Sequence, residues 1–423
     1  MRIFQKIIQA KNQIFNLGIY FLAAMIPMAL SLVSNPFIAL NMSPVDYAIT
    51  GYYQAFTVLF GPLVNFYLLH YYTKRYYELD EGERQELKAT LFRTLIFFSL
   101  LLGVVALIIL AVYTFIFNDK SEIPFLPYAV ICVFSLPITG IYTLSLTEYR
   151  MQRSSKKFFN LSVSNGALSI SVLLLFVVAF KWGAIGKMMA TFVASAIIFI
   201  YVLVKNKNVW KYKFQYGVLK EALMFCWPLV IASMLTFFCS GYDKIILERL
   251  GDIETLGIYS VGVTIAGYLH VFSNSINDTF QPDIFESIVK RNFRRCLKYI
   301  ITKISIMSFC VACFSLLAPY IIDILTYGRY VLSTPFAIIV SISSITSMLY
   351  YSMSQVTVAL GFTSITLLNK IFGSVLSILS FNILIQHFGA VGAAWGIVVS
   401  YVYFFLGNVI LVLIKYKKQH KSI

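Results

Sequence analysis

Apolar runs long enough to cross a bilayer recur along the whole chain, separated by short polar gaps. A helix needs about 20 consecutive apolar residues to cross the hydrocarbon core. On that scale the pattern predicts spans over 14–40, 47–72, 91–117, 124–147, 158–180 and 184–204. A second set follows over 218–247, 255–280, 299–325, 331–360, 363–385 and 390–414. The first run follows a basic start but is longer than a signal-peptide core of about 7–15 residues. With no small-residue cleavage site after it, it reads as a span. The expected fold is an all-α integral membrane protein with twelve transmembrane helices.

The pattern also repeats. Lys181-Trp182-Gly183-Ala184-Ile185-Gly186 opens the sixth span and His387-Phe388-Gly389-Ala390-Val391-Gly392 opens the twelfth, an offset of 206 residues. Pro27 and Pro228 occupy comparable places in the first span of each half, where each is a candidate kink of a gate helix. An even number of spans per half makes both halves enter from the same face. The predicted organisation is therefore two six-helix bundles related as parallel repeats. They cover 1–204 and 218–423, joined by a linker at 205–217, and their expected arrangement around a central cavity suits alternating access.

Charge adds orientation. Of 34 Lys and Arg residues, 28 fall in alternate gaps: 1–13 (Arg2, Lys6, Lys11), 73–93, 148–157, 205–220, 290–303, Lys370 and the tail with Lys415, Lys417, Lys418 and Lys421. Cationic loops resist translocation, so this alternation places both termini in the cytoplasm. The predicted site is a bacterial inner membrane. The formal charge of +16 does not indicate a nucleic-acid partner, because apolar spans interrupt the cations. Contacts to membrane lipid headgroups suit them better.

Composition excludes more than it adds. The chain is 59% hydrophobic and 12% charged, against about 25% charged in a soluble domain. Cys310 and Cys313 form a C-x-x-C inside a span, without a second pair of ligands, and read as small packing residues. No phosphate-binding G-x-x-x-x-G-K-[ST] occurs.

Five stretches carry a family likeness: Gly241-Tyr242-Asp243-Lys244-Ile245-Ile246-Leu247 with Leu250-Gly251; Glu254-Thr255-Leu256-Gly257-Ile258-Tyr259-Ser260; Phe280-Gln281-Pro282-Asp283-Ile284-Phe285-Glu286; Tyr327-Gly328-Arg329-Tyr330 through Pro335; and Tyr149-Arg150-Met151-Gln152-Arg153. In order and spacing they resemble the polysaccharide flippases of the multidrug/oligosaccharidyl-lipid/polysaccharide exporter superfamily. The likeness runs over nearly the whole chain. It departs at Lys244, where the family usually has Arg, so bidentate phosphate contact is lost while charge is kept.

The resemblance implies a transporter, not an enzyme: translocation of an undecaprenyl-diphosphate-linked oligosaccharide to the outer leaflet, for O-antigen (lipopolysaccharide), capsule or exopolysaccharide synthesis. It implies no cofactor beyond a coupling H⁺ or Na⁺, and a polysaccharide polymerase and chain-length regulator as partners. A cation-coupled drug exporter is the alternative within the superfamily, but it needs a buried carboxylate network in the N-terminal half. An integral-membrane polymerase or glycosyltransferase is a third reading, and the short exterior loops oppose it.

Candidate cavity residues are the charged and amide groups inside the spans. Asp243 and Lys244, with Arg249, read either as a lining for the diphosphate or a coupling ion, or as a helix end in water with Lys244 paired to Glu248. Lys370 either faces a cavity or snorkels to headgroups. Arg93 and Lys303 favour snorkelling. Asn274, Asn277 and Asp278 form a polar patch in the eighth span. Gln54 and Asn35 are candidates for sugar hydroxyls or for interhelical hydrogen bonds. His270 reads as a packed, hydrogen-bonded side chain.

Overall fold

A computed structural model describes the backbone of residues 2–421 and the side chains there except those of 2–17, 24, 363, 364, 416 and 418–421. The basic side chains of Arg2, Lys6, Lys11, Lys418 and Lys421 therefore lie outside the described residues. Among the described residues every regular element is helical. In chain order they are α1 (Arg2–Asn41), α2 (Pro44–Asn65), α3 (Leu68–Arg75), α4 (Glu81–Val112), α5 (Tyr128–Met151), α6 (Ser155–Leu174) and α7 (Gly183–Lys205). Then come α8 (Tyr216–Met234), α9 (Phe237–Ser240), α10 (Tyr242–Arg249), α11 (Ile253–Val289), α12 (Phe293–Thr326), α13 (Thr334–Ala359) and α14 (Thr363–Lys421).

Ten helices among the described residues are long and apolar enough to cross a membrane, so this is a multi-pass membrane protein. The last of the ten, Ile365–Lys415, is broken at Gly389, whose φ is 55° and ψ −133°. The predicted span 47–72 is also two helices: Phe66 and Tyr67 adopt left-handed φ values of 47° and 52° and separate α2 from α3. The predicted span 218–247 is three, α8 to α10. The break at Phe66–Tyr67 and the first of the two in 218–247, at Leu235–Thr236, carry no Gly or Pro, so the hydropathy pattern runs through them; the second lies at Gly241.

Polar residues set several helix starts. The Glu83 carboxylate accepts the backbone N–H of Asp80 at 3.4 Å at the head of α4. Asp252 accepts the N–H of Thr255 at 2.9 Å to begin α11, and Asn292 accepts that of Arg295 at 3.1 Å to begin α12. Each cap satisfies a donor that the helix leaves without an internal acceptor.

The chain divides into two compact units, residues 1–42, 60–119 and 124–230, and residues 43–59, 120–123 and 231–423. In the first, α4 packs on α5, α7 on α5 and α6, and α1 along α6. The last contact is close: a side-chain carbon at Gly166 would lie 2.7 Å from Pro27 Cβ. In the second, α13 packs against α11, α12 and α14. Its buried hydroxyls, Ser344 excepted, bond back along their own helix, as Ser343 Oγ does to the Val340 carbonyl at 2.6 Å and Ser352 Oγ to that of Met348 at 2.5 Å. A helix can carry many polar residues through an apolar interior when each hydroxyl finds its acceptor one turn back.

The repeated hexapeptide recurs as one turn. Gly183 has φ 54° and Gly389 φ 55°. Three residues on, a side chain at Gly186 would press on the Phe176 carbonyl at 3.1 Å, and one at Gly392 would strike that of Leu384. Both glycine pairs serve the same end: a left-handed residue turns the chain, and a bare Cα lets the next helix lie against the end of the previous one.

Candidate functional site

The second unit concentrates buried charge around the broken helix α8–α10. At the first break, the N–H of Thr236 bonds the Ser233 carbonyl at 2.9 Å, so the Ala232 carbonyl loses its partner in the regular ladder. Lys370 Nζ takes that carbonyl at 2.8 Å and Thr236 Oγ1 at 2.9 Å. One turn further along α14, Ser374 Oγ donates to the Leu235 carbonyl at 3.1 Å. Lys370 thus points into its own unit, onto the broken helix.

The next turn holds Asp243 and Lys244. Asp243 is 0% exposed and Lys244 6%. Asp243 Oδ2 accepts the Tyr259 hydroxyl at 2.6 Å and lies 3.5 Å from Lys244 Nζ. Its other oxygen, Oδ1, is buried with no partner, as is the Oγ of the adjacent Ser260. Gly51 of α2 makes room here, since a Cβ would lie 2.9 Å from Ser260 Cβ and 3.7 Å from Lys244 Cδ. Unsatisfied polar atoms in an interior each cost about 1–3 kcal/mol. A carboxylate oxygen and a hydroxyl left open beside a half-engaged ammonium form a small site with both signs of charge.

This geometry corrects the expected water-exposed Lys244–Glu248 pair. Glu248 is buried and accepts the Ser121 hydroxyl, while Lys244 turns to Asp243.

A third constellation lies between α11, α12 and α13. Lys303 is 0% exposed; its Nζ donates to Asn277 Oδ1 at 2.6 Å and Gln355 Oε1 at 3.2 Å. The expected snorkelling is therefore wrong, because the side chain turns inward to two amide oxygens. Among the described residues neither Lys303 nor Lys370 takes part in an ion pair. An ammonium removed from water with only neutral acceptors costs several kcal/mol.

The other sequence-predicted positions scatter. Arg249 is exposed at the end of α10, and Asn274 and Asp278 share an exposed face of α11 while Asn277 between them turns to Lys303. Gln54 is exposed and Asn35 half-buried. Pro27 meets Gly166, and Pro228 sits inside α8, ahead of its break. His270 Nε2 lies 2.9 Å from Ser343 Oγ, the packed partner its sequence context implied.

In the first unit buried charge is matched. Lys88 Nζ pairs with Glu148 Oε1 at 2.8 Å and donates to Asn206 Oδ1 at 2.7 Å, and Gln152 adds a bond to Glu148 at 3.1 Å. Arg93, expected to snorkel, instead holds the backbone carbonyls of Val209, Trp210 and Tyr212 at 3.3, 2.7 and 2.8 Å. Sequence reasoning missed Glu148 as a buried acid and Gln355 altogether, and met Tyr259 and Ser260 only as part of a family stretch, with no role for either. The signal for Gln355 was present: residues 341–357 place a hydroxyl or amide at most turns of an apolar span.

A family model described as "Polysaccharide biosynthesis protein" matches residues 14–288. The capsular polysaccharide biosynthesis protein CapF of Staphylococcus aureus is 24% identical over 190 residues, 43% of this chain and 46% of that protein. The match thus spans about half of that relative's length. An inward-facing multidrug resistance MATE family transporter of the MOP superfamily superposes with a TM-score of 0.71 at 14% identity, over 93% of this chain and 99% of that one. The lipid II flippase MurJ in an inward closed conformation gives 0.68 at 14% identity, over 94% and 87%. The fold is therefore shared with these two proteins.

Proposed function

The chain belongs to the polysaccharide biosynthesis protein family, and from that membership we propose that it flips undecaprenyl-diphosphate-linked oligosaccharide repeat units from the cytoplasmic to the outer leaflet. The glycan would feed O-antigen, capsule or exopolysaccharide synthesis, with a polymerase and a chain-length regulator as downstream partners. The proposed setting is a bacterial inner membrane. The proposed topology is twelve spans with both termini cytoplasmic: ten apolar helices, the last divided at Gly389, plus α2 with α3.

The observation that carries this reading is the pair Lys303 and Lys370, two ammonium groups within the spans of one unit, held only by neutral oxygens. A diphosphate faces a barrier of many kcal/mol in hydrocarbon unless cations meet it. An unmatched ammonium faces the mirror of the same penalty, so each relieves the other when they meet. Asp243, with one open oxygen beside Lys244, is the proposed position for a coupling H⁺ or Na⁺. Alternating access needs the cations only to bind and release, with no bond made or broken.

The test is the lipid-linked glycan pool in cells depleted of this protein. Complete repeat units on polyprenyl diphosphate should accumulate at the cytoplasmic face. Units that reach the outer leaflet but stay unpolymerised would contradict the proposal, as would a normal pool with lost drug resistance.

A further inference from the structure

The first unit holds a cavity of about 380 Å³ between α6 and α7, lined by none of the candidate site residues of the second unit. Its lining includes Lys157, Asn160 and Leu161 of α6 and Ile197, Ile198 and Lys205 of α7. No acidic residue is among its lining groups. Lys205 is aimed by aromatic neighbours: its Nζ lies 3.3 Å from the Tyr201 hydroxyl and 5.2 Å from the centre of the Tyr149 ring. Lys157 is exposed and has Lys156 beside it.

Three features define the ligand. Two ammonium groups without a carboxylate call for an anion. The aliphatic wall next to them calls for a hydrocarbon chain on the same molecule. The neighbouring surface of α7 is apolar and open, with Ile200 59% and Val204 66% exposed, as a lipid-facing helix must be. Both lysines also come from basic gaps that the charge pattern assigns to the cytoplasm. Basic pockets between membrane helices on that side are suited to lipid phosphate.

We propose that this cavity binds an anionic glycerophospholipid of the cytoplasmic leaflet, its phosphate between Lys157 and Lys205 and an acyl chain along Leu161, Ile197 and Ile198. The leaflet rests on the topology proposed above; the binding does not rest on transport. Lys205 adjoins Asn206, which accepts from Lys88 of the buried pair with Glu148. A lipid here therefore braces α6 against α7 next to the ionic network of the first unit.

The experiment is thermal unfolding of the purified full-length protein in detergent, titrated with dioleoyl phosphatidylglycerol or with phosphatidylcholine of the same chains. A ligand that binds only the folded state raises Tm with its concentration. Phosphatidylglycerol should raise Tm and phosphatidylcholine should not. Removing each surface cation weakens such binding about fivefold, so Lys157→Gln with Lys205→Gln should weaken it roughly 25-fold. Lys157→Arg with Lys205→Arg should retain it, and the charge-matched control Lys156→Gln with Lys207→Gln should leave it unchanged. Ile197→Trp, which keeps both lysines and fills the apolar wall, should weaken it too. Equal shifts with both lipids would overturn the proposal, as would full affinity in the Gln pair. So would a shift with undecaprenyl phosphate alone, which would assign the cavity to the carrier lipid.

Discussion

Both units bury charge, and they treat it oppositely. In the first, Lys88 and Glu148 neutralise each other at 2.8 Å and two further side chains complete the network. In the second, Lys303 and Lys370 have only neutral acceptors, and Asp243 keeps one oxygen open. A matched pair holds helices together and has nothing left to offer a ligand. An unmatched charge is poor for stability and useful for binding. The comparison teaches where to look for transport: in the second unit, at the groups the fold leaves incomplete.

The largest effect should come from breaking the matched pair. Lys88→Met leaves Glu148 buried alone and should cost about 3–5 kcal/mol in thermal unfolding, whereas Lys88→Met with Glu148→Met should recover most of it. A mild single variant would remove the contrast between the units. Lys370→Met comes next. It orphans the Ala232 carbonyl at the break of α8 and should cost about 1–3 kcal/mol, read from the same unfolding curves. The repeated turn, where the units agree, sharpens the comparison. Gly183→Ala and Gly389→Ala each force a side chain into left-handed backbone and should lose about 1–2 kcal/mol, in equal measure. Unequal losses would mean that the two turns bear different loads.

The smallest effect is at the head of α11. Asp252→Ala removes a cap and should cost about 1 kcal/mol. Hydrogen bonds from Thr255, first its side chain and then its backbone N–H, hold the Asp252 carboxyl below its ordinary value. A depressed folded value means the contribution is full above the unfolded value of about 3.9 and is lost as pH falls through the folded one. The wild type and Asp252→Ala should therefore differ at neutral pH and converge in acid.

Much of this was legible in the chain. Apolar runs located the helices because hydrocarbon leaves a spanning segment few other options, and the glycine hexapeptides marked a turn that the structure repeats within a degree of φ. The family likeness drew attention to Asp243 and Lys244 but left them either lining a cavity or ending a helix in water; the structure buries both. Other features were hidden for physical reasons. The breaks at Phe66–Tyr67 and Leu235–Thr236 carry no helix breaker, so tertiary contacts such as Lys370 to the Ala232 carbonyl hold the second one. The direction of Lys303 was invisible because a long aliphatic stem suits headgroups and interior amides alike. The Lys88–Glu148 pair joins residues 60 apart in the chain, each of which looked like part of a separate solvated loop.

The most direct test of the central claim is the lipid-linked glycan pool in cells whose only copy of this protein carries Lys303→Met, at matched protein level. Replacing this buried ammonium by an apolar chain relieves its desolvation but leaves the Asn277 and Gln355 side-chain oxygens without their donor, so folding should weaken by no more than about 1–3 kcal/mol. Losing its contact with a diphosphate should slow transport by roughly 10-fold or more. Complete repeat units should then build up at the cytoplasmic face while the protein stays folded. A normal pool in those cells would contradict the claim that the incomplete charges of the second unit carry the substrate.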